Sequence, residues 1–222
     1  MAAAVGEVLP LAVGVAISPI PIIATILMLL SPKARLTSVG FLLGWIAGIS
    51  IAVTAFTLLG TLLPTEQSDT ARVISGVVRI LLGVVLLLLG VKQWRSRPRD
   101  GEAPDLPKWM SAVDSMTAPK AAGLALLLAA VNPKNLLLAA SAGISLSAGE
   151  DRSSTAVAIV IFVIIAAATV AVPVLAYLLA ASKMAGALES LRNWLVLNNS
   201  TIMSVLLTVI AATMIGQGIG AF

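Results

Sequence analysis

The sequence predicts an all-α membrane protein of six transmembrane helices, arranged as two inverted three-helix repeats in which the first and fourth helices are broken. Three observations carry this expectation. The 222-residue chain is 59% hydrophobic, with a mean hydropathy of +1.06 and only 11% charged residues, where an ordinary soluble domain is about 25% charged. Its Lys, Arg, Asp and Glu fall mostly in short clusters between long uncharged stretches, as expected of a bundle solvated by lipid. Finally, a Ser-Pro and an Asn-Pro element occupy matching places in the two halves of the chain.

At about 20 apolar residues per crossing, the chain divides into six spans: Glu7 to Leu30, Ser38 to Leu63, Val73 to Val91, Pro119 to Leu146, Thr155 to Ala181, and Asn199 to Phe222. The polar segments SPKARLTS, PTEQSDTAR and AGEDRSS close the first, second and fourth spans. The longest polar stretch, Lys92 to Ala118, joins the third span to the fourth. This divides the chain into a first three-span repeat (1–91), a connecting loop (92–118) and a second three-span repeat (119–222). The first basic residue is Lys33, so the basic head of a secretory signal is missing and the first apolar stretch is expected to stay in the mature chain.

Basic residues stay on the cytoplasmic side. Lys33, Arg35, Lys92, Arg95, Arg97, Arg99, Lys108, Lys120, Lys183 and Arg192 fall on one side, and only Arg72 and Arg152 on the other. The expected topology has both termini outside and the long loop in the cytoplasm. Within that loop, Trp109, Met110, Val113 and Met116 recur at helical spacing, consistent either with a short helix on the inner leaflet or with an irregular linker. Trp94 and Trp194 fall at cytoplasmic span ends, as interfacial anchors do.

Ser18-Pro19-Ile20-Pro21 lies midway through the first span, and Asn132-Pro133-Lys134-Asn135 midway through the fourth. Ser and Asn are good helix N-caps, and Pro suits the first helical position. Pro also drives the preceding residue out of the α region. Each element can therefore end one half-helix and begin another. Unwound backbone inside a bilayer is tolerated only where protein or a water-filled cavity surrounds it, so both breaks are expected to face the bundle interior. Three spans per half is an odd number, which forces opposite insertion of the two repeats. Two helix N-termini then point at the midplane, where their partial positive charge attracts anions.

Lys134 sharpens this reading, because a lysine at the bilayer centre costs roughly 2.5–3.5 kcal/mol on insertion scales and needs a partner. No Asp or Glu lies between Glu7 and Glu66, between Asp69 and Asp100, or between Asp114 and Glu150. Backbone carbonyls at the breaks are one source of compensation. Arg79, the second cation within a span, either lines the same site or snorkels to the outer interface. The candidate substrate-binding set is Ser18, Pro19, Pro21, Asn132, Pro133, Lys134, Asn135 and Arg79. Thr25, Ser141, Asn198, Asn199, Thr208 and Gln217 are better read as packing groups. Gly40, Gly44 and Gly48 form one small-residue face and Gly76, Gly83 and Gly90 another. Both imply close helix contact, within the chain or, for the first face, in a homo-oligomer. Pro173 either kinks the fifth span or is accommodated by its neighbours.

The chain has no Cys and no His, which excludes thiol relays, Cys–His nucleophiles and Ser–His–Asp arrangements. No cofactor, metal site or nucleic-acid partner is implied, and no phosphate-binding loop is present. The chain is not expected to be an enzyme, although a desolvated Lys134 has the chemistry of a base.

In its two proline elements the sequence resembles the lysine-exporter (LysE) superfamily of six-span exporters, which carry Pro-Gly-Pro in the first span and Asn-Pro-Lys-Ala in the fourth. Within it, the chain is most similar to the GAP family of glycopeptidolipid- and sulfolipid-addressing proteins of actinobacteria. Asn132-Pro133-Lys134 carries most of that likeness. The resemblance implies outward movement of a small solute or lipid-linked product across a bacterial plasma membrane. Ile20 stands where the superfamily has Gly and Asn135 where it has Ala, which argues against an amino-acid substrate. The expected function is secondary-type export of an anionic lipid, glycolipid precursor or small anionic solute. The alternatives are amino-acid export and an accessory role in a larger lipid-export complex.

Overall fold

A computed structural model describes residues 2–62, 69–97, 113, 115–147 and 151–222. All regular structure among the described residues is helical. The elements are α1 (Ala2–Ala16), α2 (Pro19–Leu29), α3 (Ala34–Thr61), α4 (Asp69–Arg95), α5 (Ala118–Ala130), α6 (Pro133–Ser147) and α7 (Arg152–Ile219). Four stretches are long and apolar enough to cross a bilayer: Ala34–Thr61, Gly76–Arg95, Arg152–Ala181 and Met184–Ile219. Two further pairs reach that length only as bent units, α1 with α2 at 52° and α5 with α6 at 64°. Counting each bent pair once gives six candidate crossings among the described residues. Large apolar side chains face outward along them, Leu88, Ile164 and Val172 each 63% exposed, as a lipid-facing surface requires.

The breaks fall where the prolines stand. Pro19 occupies the first turn of α2, and Ser18 before it is extended (φ −110°, ψ 103°), the conformation that a following Pro imposes. α6 likewise has a proline, Pro133, as its first residue.

α7 is a 68-residue helix interrupted at Ala180 (φ −146°, ψ 48°), which separates a first arm, Arg152–Ala181, from a second, Met184–Ile219. The helix runs on through Pro173; the interruption lies beyond it. The second arm starts well before Asn199, where the sixth span was expected. Its 36 residues measure roughly 54 Å at 1.5 Å each, against about 30 Å of hydrocarbon, so one end extends past the apolar layer. Leu188 and Leu195 hold that end down, buried against Ile23, Ile26 and Leu29 of α2 and Val174 of the first arm.

Glycines set the helix contacts. A Cβ on Gly40 or Gly44 would run into the backbone of Ala118 or Ala122, and one on Gly48 into Ala129. The Gly40-Gly44-Gly48 face is therefore used within the chain, letting α3 lie directly on α5, whose Ala121, Ala125 and Ala129 are buried there. Gly76, Gly83 and Gly90 likewise seat α4 against Gly218, Ala211 and Ser204 of the second arm. Stacked Phe41 and Trp45 fill the main core beside Phe162. Of the stretch read as either a short helix on the inner leaflet or an irregular linker, Trp109 and Met110 lie outside the described residues, while Val113 and Met116 pack against the bundle core.

Candidate functional site

α1 runs out of helix at Ala16, leaving carbonyls with no N–H of their own helix to accept from. Two groups from elsewhere in the chain meet them with three hydrogen bonds. The Lys134 ammonium donates to the Gly14 carbonyl at 2.7 Å and to that of Ile17 at 3.3 Å, and the Thr169 hydroxyl donates to Ala16 at 2.6 Å. Gly14 itself faces Leu138 of α6 and Ile210 of the second arm, so the lack of a side chain there lets α6 come close enough for its lysine to reach. The ammonium thus sits at the negative end of the α1 dipole. Lys134 is only 2% exposed, and hydrogen bonds to charged groups contribute about 1.5–3 kcal/mol each. These contacts offset much of its cost of burial.

The second break is tied more closely to itself. The Asn132 side-chain carbonyl accepts the Lys134 backbone N–H at 3.1 Å, and its main-chain carbonyl accepts from Leu136 at 2.9 Å. Asn132 is therefore the N-cap of α6, as expected. Asn135 reaches back across the gap and donates from Nδ2 to the Leu128 carbonyl at 3.2 Å. The first turn of α6 consequently serves both interruptions: Lys134 satisfies the end of α1, and Asn135 satisfies the end of α5.

Ser18 departs from expectation. It is buried, yet its hydroxyl makes no capping bond to α2. The prolines explain what is left at this terminus. Pro19 and Pro21 carry no N–H, and the Ile22 N–H reaches the Ser18 carbonyl at 3.4 Å. Of the positions whose donors are normally exposed at a helix start, Ile20 alone in α2 carries an N–H for which the described residues show no bond. α6 similarly keeps that of Asn135, whose buried side-chain Oδ1 also has no partner among the described residues. The two helix N-termini thus present far fewer donors than ordinary ones, and the main positive group of the region is the lysine ammonium.

The structure gathers Ser18, Pro19, Pro21, Asn132, Pro133, Lys134 and Asn135 at the two breaks. Arg79 stands apart, half-buried on α4 between the two glycines that pack on the last turns of α7. Thr25 and Asn198 bond carbonyls of their own helices. Thr208 lines a groove of about 360 Å³ with Val91, Trp94, Ser204, Val205 and Val209, on the α4 flank of the second arm. Thr169 was not picked out from sequence. A threonine amid an apolar run has many dull explanations, and its partner is a backbone carbonyl, which has no sequence signature.

At the Asp151 turn the charge environment is different. The Ser154 and Ser153 hydroxyls and backbone N–H groups converge on this exposed carboxylate, which caps α7, and they hold its pKa at about 2, below the usual 3.8. This cap lies outside the spans and away from the breaks.

No curated protein and no solved structure matches the chain. A protein family does: residues 8–220 match that described as Sap, sulfolipid-1-addressing protein. The match takes in both broken spans and every crossing helix, so the chain belongs to the sulfolipid-1-addressing protein family.

Proposed function

We propose that this protein is a secondary-type exporter that moves an anionic lipid, glycolipid precursor or small anionic solute outward across a bacterial plasma membrane, as the family name suggests for a lipid. One observation carries the reading: a buried lysine from one interrupted span ends on the backbone carbonyls of the other. A structural lysine is better placed at a surface, and a permanently buried cation is costly unless fully paired. Carbonyls are neutral acceptors. An oxyanion arriving between the breaks offers the ammonium a stronger, charge-assisted partner, so binding substrate and releasing α1 become one event.

The helix contacts support two inverted repeats, 1–91 and 119–222. α3 packs along α5 and α6, and the first arm of α7 meets the other broken span through Thr169 on Ala16 and Val174 in the cluster with Ile23, so each repeat's second crossing touches the broken span of the other. The third crossings, α4 and the second arm, pack together. Membership of the LysE superfamily fits this arrangement. The uneven distribution of Lys and Arg, ten against two, supports termini outside and the long loop inside. Arg79 is assigned to the outer interface. The chain is read as a transporter without enzymatic activity or cofactor. Energy comes from an ion gradient or from a partner in a larger complex.

The test is reconstitution of purified protein into liposomes carrying fluorescent phosphatidylglycerol. Wild-type protein is expected to move the lipid between leaflets, with at least a tenfold loss in Lys134→Met. Equal rates in the two proteins overturn the reading. Movement only when further membrane components are added assigns the chain the accessory role.

A further inference from the structure

The second arm of α7 buries one stripe along its length: Leu188, Leu195, Met203, Leu207, Ile210 and Met214, each three, four or seven or eight residues from the last, as one helical face requires. Two polar residues complete the stripe at its basic end. Arg192 lies between Leu188 and Leu195, and Asn199 between Leu195 and Met203. Arg192 and Asn199 are half-buried residues whose Nε and Oδ1 atoms are fully covered, and neither atom has a hydrogen-bond partner among the described residues. Arg192 makes no ion pair among the described residues, and its near neighbour on the helix, Glu189, is exposed. A buried, unpaired guanidinium N–H in a face that is otherwise apolar is costly unless something binds it.

This face is covered by a small hydrophobic cluster separate from the main core. Its buried members are Ile23, Ile26 and Leu29 of α2, Val174 of the first arm, and Leu188 and Leu195 themselves. α2 begins at the first break, so the Arg192 face lies along the helix that leads from the basic end of the bundle to the Lys134 region. A small satellite cluster is easier to open than the main core.

We infer that Arg192 and Asn199, at the α2 contact of the second arm, form a loading site for an oxyanion headgroup that also carries a hydroxyl. The inference rests on the export reading and adds the place where the substrate first binds. The guanidinium suits a phosphate, sulfate or carboxylate, which it can grip through two parallel N–H bonds. The amide oxygen of Asn199 accepts from a hydroxyl. Seven residues separate the two, about 10 Å along the helix, a span matched by a charged group with a polyol or sugar attached.

The experiment is native mass spectrometry of the full chain in detergent, titrated with dioleoyl phosphatidylglycerol, dioleoyl phosphatidylcholine and soluble glycerol phosphate. Phosphatidylglycerol is expected to bind at least tenfold more tightly than phosphatidylcholine. Arg192→Gln should reduce that preference about tenfold and Arg192→Lys about threefold, while Arg95→Gln, a basic residue exposed at the same end, leaves it unchanged. The lysine variant keeps a charge in place and so reports even where the glutamine variant fails to fold. If glycerol phosphate binds with the same dependence on Arg192, the site stands and its ligand is a free solute. Equal phosphatidylglycerol binding by wild type and both Arg192 variants overturns the site, as does a loss caused equally by Arg95→Gln. Arg192-dependent binding without liposome transport sinks the export reading alone.

Discussion

The Lys134 ammonium lies 2.7 Å from the carbonyl of Gly14, 120 positions earlier in the chain, so a single side chain joins the interrupted span of the first half to that of the second. Replacing it separates its structural and charge roles. Lys134→Met leaves the Gly14 and Ile17 carbonyls unpaired, at about 1–3 kcal/mol, but no longer buries a charge; the net loss should stay below about 3 kcal/mol. Lys134→Glu places a carboxylate against carbonyl oxygens and the negative end of α1, at about 3–5 kcal/mol. Thermal unfolding in a single detergent should rank the proteins wild type, then Met, then Glu.

The two breaks should respond differently to loss of their cap residues. Asn132→Ala removes a side-chain bond to the first turn of α6 and is expected to cost about 1 kcal/mol. Ser18→Ala removes no such bond, and its effect should be under about 0.5 kcal/mol. A pair of unfolding curves decides this, and equal losses would contradict the difference in bonding between the two caps.

Glycine contacts supply a sharp comparison. Gly44→Ala drives a methyl group into the Ala122 backbone, which cannot step aside as a side chain could, and should cost about 1–3 kcal/mol. Gly123→Ala, on the facing helix, meets nothing within 4 Å and should gain up to about 1 kcal/mol from helix propensity. Unfolding temperatures of the two variants should therefore move in opposite directions.

Asp151 gives a pH signature. Its carboxylate titrates at about 2 when folded and near 3.8 otherwise, so the unfolded chain binds the proton first. The cap's contribution is fully present above pH 4 and disappears as pH falls through about 2. The stability gap between wild type and Asp151→Ala should be constant from pH 5 to 8 and shrink between pH 4 and 2, as read by thermal unfolding across that series.

Much of this architecture was legible in the sequence because proline leaves a local imprint. Pro19 and Pro133 mark both interruptions, and Asn132 announces a cap. The partners of Lys134 were not legible, since the residue that approaches it, Gly14, contributes a main-chain oxygen that every residue possesses. Asn135 looked like a departure from a family pattern; the fold uses its amide to close the end of α5. The stretch from Met184 to Asn198 carries Glu189, Arg192 and Asn193 and so looked like the approach to a span. It is helical because Leu188 and Leu195 find α2, a contact that only the assembled bundle supplies. Arg192 was counted for its sign alone, and the covering of its Nε appears only once that contact is known.

The two prolines of α2 have a mechanical consequence. Bending the α1–α2 joint further breaks little, for two of the amides that would resist are absent and the bond from Ile22 to Ser18 is already long at 3.4 Å. The α5–α6 joint is pinned on both sides by asparagine side chains. One joint is closed by asparagines of its own broken span and the other by Lys134 and Thr169 from other helices, so rocking of the bundle should concentrate at residues 16–19 when those two contacts are released.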